Sequence, residues 1–169
     1  MNTVLKLDKQ RYPSGGHMPK VQYFYRKTQS ASFMPIKLIY KVLFRYFKNK
    51  NHVELSEKVI IGEGLYMGHP YCITINPGAV LGRNINIHKG VTIGQENRGK
   101  RKGTPVIGDN VWIGINSTIV GQIHIGNDVL IAPNSYVNCD IPDHSVVLGS
   151  PCIIIPKEFA TEGYLSRTV

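Results

Sequence analysis

The chain has 169 residues and a formal net charge of +9 with histidine neutral. That length suits one domain with a real core and a small appendage, and the composition is that of a soluble globular protein. The charge favours anionic partners, such as phosphorylated small molecules, nucleic acid or an anionic membrane, and no run is apolar for long enough to span a bilayer.

Residues 1–52 form an amino-terminal segment. Its opening, MNTVLKLDKQRYPSGG, has no apolar stretch of the kind a secretory leader carries. The three cysteines, Cys72, Cys139 and Cys152, are odd in number and lack metal-ligand spacing. We therefore expect reduced, mostly buried thiols in a cytoplasmic protein. The stretch SFMPIKLIYKVLFRYFKNKN predicts an amphipathic helix. Lys37, Lys41, Arg45 and Lys48 share one face, while Ile36, Tyr40, Leu43, Phe44 and Phe47 cover another. Pro35 suits its first turn. Two roles fit such a helix: closing an apolar end of the fold that follows, or lying at a membrane surface.

From residue 53 to 150 a short repeat takes over. An aliphatic residue recurs every six positions at Ile107, Ile113, Ile119, Ile125, Ile131 and Val137. Ile75, Leu81, Ile87 and Ile93 keep the same period, and Leu55, Ile61 and Met67 keep it with an offset of two. Gly, or once Ala, often follows, and Asn or Asp crowds the corners at Asn84, Asp109, Asn110, Asn127, Asp128 and Asn134. A period of six is neither helical nor a simple strand. It fits a short strand plus a tight corner, with three such units per triangular coil and one aliphatic side chain per side pointing inward.

Two irregularities interrupt the repeat. At MGHPYCITINPGAV the frame slips by two residues and the coil bulges at His69. At residues 95–105 a polar loop projects, and Arg98, Lys100, Arg101 and Lys102 make it densely basic. A solvated loop and a mobile flap over an anionic ligand both suit it. It lacks the interleaved aromatics of a nucleic-acid surface. Of the six histidines, His69 and His88 stand where the coil could use them in chemistry.

These repeats resemble the hexapeptide-repeat acyltransferases. The stretch around His69, with INPGAVLGRNINIHKGVTIGQ after it, is similar to serine acetyltransferases and related sugar O-acetyltransferases. The resemblance implies a mainly β fold: a left-handed parallel β-helix at 53–150, after a short amino-terminal helical segment and before a carboxy-terminal tail at 151–169. It implies a homotrimer with sites between subunits and acetyl-CoA as co-substrate. It makes His69 the general base, oriented by Glu54 fifteen positions earlier, where the family more often has Asp. His88 is the rival base. It assigns Gly94, Gly114, Ile115, Ala132 and Pro133 to the acyl donor, and the basic loop to phosphate or acceptor. Some left-handed β-helices resemble zinc carbonic anhydrases, but no histidine pair here has the spacing that site needs, so no metal is expected.

The chain departs from the family at three places. The ending GSPCII keeps Pro151 but lacks the usual basic residue, so Lys157 or the basic loop becomes the candidate phosphate contact. An Arg-His pair that engages serine reads Gly103-Thr104 here. The amino-terminal region is also short. The expected activity is therefore acetyl transfer to a sugar hydroxyl, as in polysaccharide assembly. Serine acetylation is the alternative, and a non-catalytic binding β-helix is the reading from another class.

Overall fold

Each six-residue unit folds as a strand of two to four residues and a corner. The computed structural model describes residues 3–14 and 16–169. About five coils stack into a parallel solenoid. The first coil comprises β1 (Glu54–Leu55), β2 (Ile60–Ile61) and β3 (Tyr66–Met67), and the second β4 (Thr74–Ile75), β5 (Val80–Leu81) and β6 (Asn86–Ile87). The third comprises β7 (Thr92–Gly94), β8 (Val106–Ile107) and β9 (Val111–Ile113), and the fourth β10 (Thr118–Val120), β11 (His124–Ile125) and β12 (Val129–Ile131). The last holds β13 (Tyr136–Val137) and β14 (Ser145–Leu148), and β15 (Ile153–Pro156) then folds back antiparallel on β14.

Three sheets result: β1-β4-β7-β10-β13 on the first side, β2-β5-β8-β11 on the second, and β3-β6-β9-β12-β14-β15 on the third. Register stacks Leu55, Ile75, Ile93, Ile119 and Val137 in one column. Met67, Ile87, Ile113, Ile131 and Val147 form another. All ten are buried. The core is fuller than one residue per side, however. Residues two places earlier, such as Ile73, Val91, Val111 and Val129, are also buried. Each side thus contributes two inward residues, as alternation along a strand requires.

The corners explain the Asn and Asp. Asn84, Asn110, Asp128 and His144 adopt left-handed backbone between the second and third sides, and Asn116 and Asn134 do so between the third and first. Asn and Asp tolerate that region better than other residues with side chains. Gly64 and Gly90 take equivalent places with φ of 78° and 74°.

Three helices precede the coils: α1 (Thr3–Gln10), α2 (Lys20–Ser30) and α3 (Met34–Asn51). The first coil has no coil beneath it, so its backbone needs other partners. Side chains supply them. Tyr25 Oη donates to Val59 O, Gln22 to Leu65 O, and Arg26 to Ile61 O and Gly62 O. Asp8 Oδ1 accepts the N–H of Gly64 and of Leu65, and Lys48 reaches Leu55 O. Asp8 and Arg26 form a buried ion pair at 2.8 Å, their side chains 0% and 3% exposed. The cap is therefore mainly α1 and α2. The helix expected from sequence, α3, packs chiefly on α2 through Phe44 and through Phe47, whose ring stacks on Phe24.

The tail runs back along the solenoid. Burial opposes the charge on Asp128, but hydrogen bonds from the Thr161 hydroxyl, the Thr161 N–H, His144 and the Ala160 N–H outweigh it and hold the carboxyl below its ordinary value. Val169 N then donates to Asn84 Oδ1 at 2.9 Å.

Asp8→Ala should lower the unfolding free energy by about 3–5 kcal/mol, because Arg26 would stay buried without its anion. Denaturant unfolding of the full chain measures this. A loss no larger than that of an exposed ion pair, about 1 kcal/mol or less, would show that the cap does not carry the stack.

Candidate functional site

The edge between the third and first sides is the chemically richest part of the molecule. Gly68, His88, Gly114 and Ala132 occupy equivalent positions there, each directly after a paired strand of the third side. His69, Lys89, Ile115 and Pro133 follow them. His69 and four of the expected donor-binding residues, Gly114, Ile115, Ala132 and Pro133, therefore line one edge over four coils. At about 4.8 Å per coil the row is about 14 Å long.

His69 sits in the bulge read from sequence. Tyr71 N donates back to His69 O at 2.8 Å, and Cys72 takes left-handed backbone with φ 54°. Cys72 N then bonds to Asn51 O, tying the bulge to the end of α3. The extra residues leave the His69 side chain exposed.

His88 lies one coil above and is half-buried. Its ring rests 4.8 Å from that of Trp112, which in turn packs edge-on against Tyr164 of the tail. Burial lowers its pKa below the ordinary 6.5, and the nearby His69 adds to the effect. The imidazole is thus held neutral. Its Nε2 is buried and has no partner among the described residues.

The small residues of the edge answer first to packing. A Cβ on Gly114 would lie 2.6 Å from Pro133 N and 2.8 Å from Ile131 O. No side chain fits there, because the backbone of the next coil fills the place it would take.

Other expected site residues lie elsewhere. Glu54 is exposed on the first side, opposite Thr74 in register. No hydrogen bond or ion pair joins it to His69 among the described residues. Glu54 and Gly94 instead line a groove of about 560 Å³ beneath α3, with Lys41, Arg45 and Lys48. Those three cations share a face, as their spacing predicts, but sequence reasoning did not place them beside Glu54. Helical periodicity gave the face and could not give the surface opposite it.

The basic loop leaves the solenoid at the next corner, between the first and second sides. Its backbone is closed: Glu96 and Gly103 exchange both N–H···O bonds, and Gln122 N donates to Arg101 O. The loop is thus held at its base as a hairpin. Arg98, Lys100, Arg101 and Lys102 are all exposed and free of ion pairs among the described residues. Within one chain they stand across the first side from His69. Lys157 donates its N–H to His144 O, at the corner between the second and third sides. Its expected phosphate contact therefore falls away from the donor edge, because β15 reverses direction before Lys157 is reached.

The family described as bacterial transferase hexapeptide (six repeats) matches residues 104–139. A serine acetyltransferase of Staphylococcus epidermidis is 35% identical over 116 residues, which cover 69% of this chain and 53% of the relative. The chain thus spans about half the length of the curated relatives it matches. A Neisseria gonorrhoeae serine acetyltransferase solved in complex with serine superposes with a TM-score of 0.66 at 31% identity, over 79% of this chain and 54% of that one. A serine acetyltransferase solved in complex with CoA gives 0.66 at 25% identity, over 80% and 55%. Repeat, coil and relatives agree: the chain resembles the hexapeptide-repeat acyltransferases, and among them the serine acetyltransferases.

Proposed function

We propose that this chain is an acetyl-CoA-dependent O-acetyltransferase of the serine acetyltransferase type, with His69 as its general base. The observation that carries the reading is the shared edge, where His69 stands in line with Gly114, Ile115, Ala132 and Pro133. An extended thioester arm laid along that edge would bring its carbonyl to the imidazole. The relative solved with CoA supports the choice of donor.

The chemistry follows from the groups present. A hydroxyl is too weakly acidic to attack a thioester alone. The His69 imidazole takes its proton as the oxygen bonds to the carbonyl carbon. A backbone N–H of the edge holds the developing oxyanion. The intermediate collapses, the carbon–sulfur bond breaks, and the imidazolium returns the proton to the leaving thiolate. A carboxylate facing the imidazolium would stabilise it, and for Glu54 to take that task its side chain would have to turn toward His69 from the groove beneath α3.

The relatives favour serine as the acceptor. One observation favours a sugar hydroxyl instead. Gly103-Thr104 supplies no cation for an amino-acid carboxylate, and the Thr104 hydroxyl is engaged with Gly78 O at 2.9 Å. Loop and histidine edge lie on opposite margins of the first side, so we further propose a homotrimer on a left-handed coil, in which one copy's basic loop closes over its neighbour's His69. Three cysteines without disulfides suit the cytoplasm, although the expected burial is not met: Cys72 is exposed and Cys139 and Cys152 are half-buried.

Thiol release from acetyl-CoA with serine and a panel of sugars tests the reading. His69→Ala should cut turnover at least about 100-fold while leaving the fold and particle mass unchanged. Turnover within a few-fold of wild type would remove His69 from the chemistry. Wild-type release with no acceptor in the panel would favour the non-catalytic alternative, and release with sugars alone would move the acceptor away from serine.

His88 should titrate below 6.5 when its ring is followed by NMR, and His69→Gln should raise the midpoint. The unfolded chain binds this proton more readily than the folded one. The contribution of His88 to stability is therefore complete above pH 6.5 and declines as pH falls below it. His88→Asn should make stability less sensitive to pH as pH falls below 6.5. An unchanged pH dependence would contradict a desolvated neutral imidazole.

A further inference from the structure

The outer face of α3 has no partner among the described residues. Met34, Leu38, Ile39, Val42 and Tyr46 lie on the side away from α2, each between 50% and 72% exposed. Leu38, Val42 and Tyr46 follow Met34 at intervals of four and make a continuous apolar row. Phe33 extends it at the amino-terminal end, 64% exposed. The opposite face is also apolar, since Phe44 is buried and Phe47 stacks on Phe24. A helix apolar on both faces is expected to be covered on both.

The charges beside the row identify the cover. α3 contains no acidic residue. Lys37, Lys41, Arg45 and Lys48 run along one border of the apolar row, and Lys50 lies on the other. Glu57 neutralises Lys41 at 2.6 Å, and Lys48 is spent on Leu55 O. Lys37, Arg45 and Lys50 have no ion-pair partner among the described residues. The helix is about 27 Å long at 1.5 Å per residue, and no helix of the described residues is long and apolar enough to cross a membrane.

We infer that α3 is an interfacial anchor that lays its Met34–Leu38–Val42–Tyr46 row into an anionic lipid surface, with Lys37, Arg45 and Lys50 meeting the headgroup phosphates. Apolar area and cationic flanks act together in such helices, and neither suffices alone. A second copy is the poorer occupant. Two such faces packed together would bring rows of lysine and arginine against each other with no acid between them. Because Cys72 N is bonded to Asn51 O, the His69 edge would sit close to the same surface.

The test is flotation of the full chain with vesicles of phosphatidylcholine alone or mixed with phosphatidylglycerol. Wild type should float with the mixed vesicles and not with the neutral ones, and salt should weaken the binding. Leu38→Asp with Val42→Asp should lower the partition at least about tenfold, with melting unchanged because both residues already face outward. Leu38→Trp should bind as wild type and shift its emission to the blue on the mixed vesicles. Failure of wild type to bind, or binding indifferent to the double aspartate variant, overturns the inference. So does a double variant of smaller particle mass whose wild-type parent ignores vesicles, since the face would then join subunits. None of these readings depends on acetyl transfer.

Discussion

A parallel coil satisfies its backbone only by lending it to the coils above and below, so the first coil has one raw edge. Everything else in the chain rests on how that edge is closed. The carbonyls of Leu55, Val59, Ile61, Gly62 and Leu65 would otherwise be half-buried without donors, at a cost of about 1–3 kcal/mol each. Lys48, Tyr25, Arg26 and Gln22 answer them one by one, and Asp8 holds the N–H groups of Gly64 and Leu65. The closure is polar and specific, and it fixes α2 against the solenoid. α3 then follows as a second layer, which is why its far side is left bare.

The same closed stack gives the candidate site its rigidity. Successive coils repeat one geometry, so a feature at one corner is reproduced a coil higher. His69 departs from this only because two extra residues open the corner at Pro70 and Tyr71. The Asn51–Cys72 hydrogen bond braces that departure from below, and Gly90 N, donating to Tyr71 O, braces it from above. His88, by contrast, keeps the regular frame and is drawn against Trp112. The two imidazoles differ in environment because one corner is irregular and the next is not.

The repeat was legible in the sequence because its signal is local. Every aliphatic residue placed in the frame from Leu55 to Val137 faces the core, and the left-handed corners carry the Asn and Asp that mark them. The second inward residue per side was less visible, since small and polar residues such as Ala79, Ser117 and Ser135 fill several of those places. A capping role was read for α3, but the polar contacts that make the cap from α1 and α2 were not. Asp8 meets Gly64 across 56 residues, and Arg26 meets Ile61 across 35, and no periodicity encodes such pairs. The outward row of α3 was missed for another reason: only Ile36, Tyr40, Leu43, Phe44 and Phe47 were assigned to its apolar face, and Leu38, Val42 and Tyr46 to none. The bulge at His69 and the corner places of Gly114, Ile115, Ala132 and Pro133 were legible, but their alignment on one edge was not, and the surroundings of Glu54, Gly94 and Lys157 depend on where α3 and β15 come to rest.

Closing the raw edge with side chains has a consequence for assembly. A strand edge capped by another strand invites yet more strands, whereas one occupied by arginine, glutamine and tyrosine heads offers no template. A chain begun at Val53, without its three helices, would present that template bare to the far end of another copy. The amino-terminal helices thus leave the backbone of the first coil with no free row for another copy to pair with.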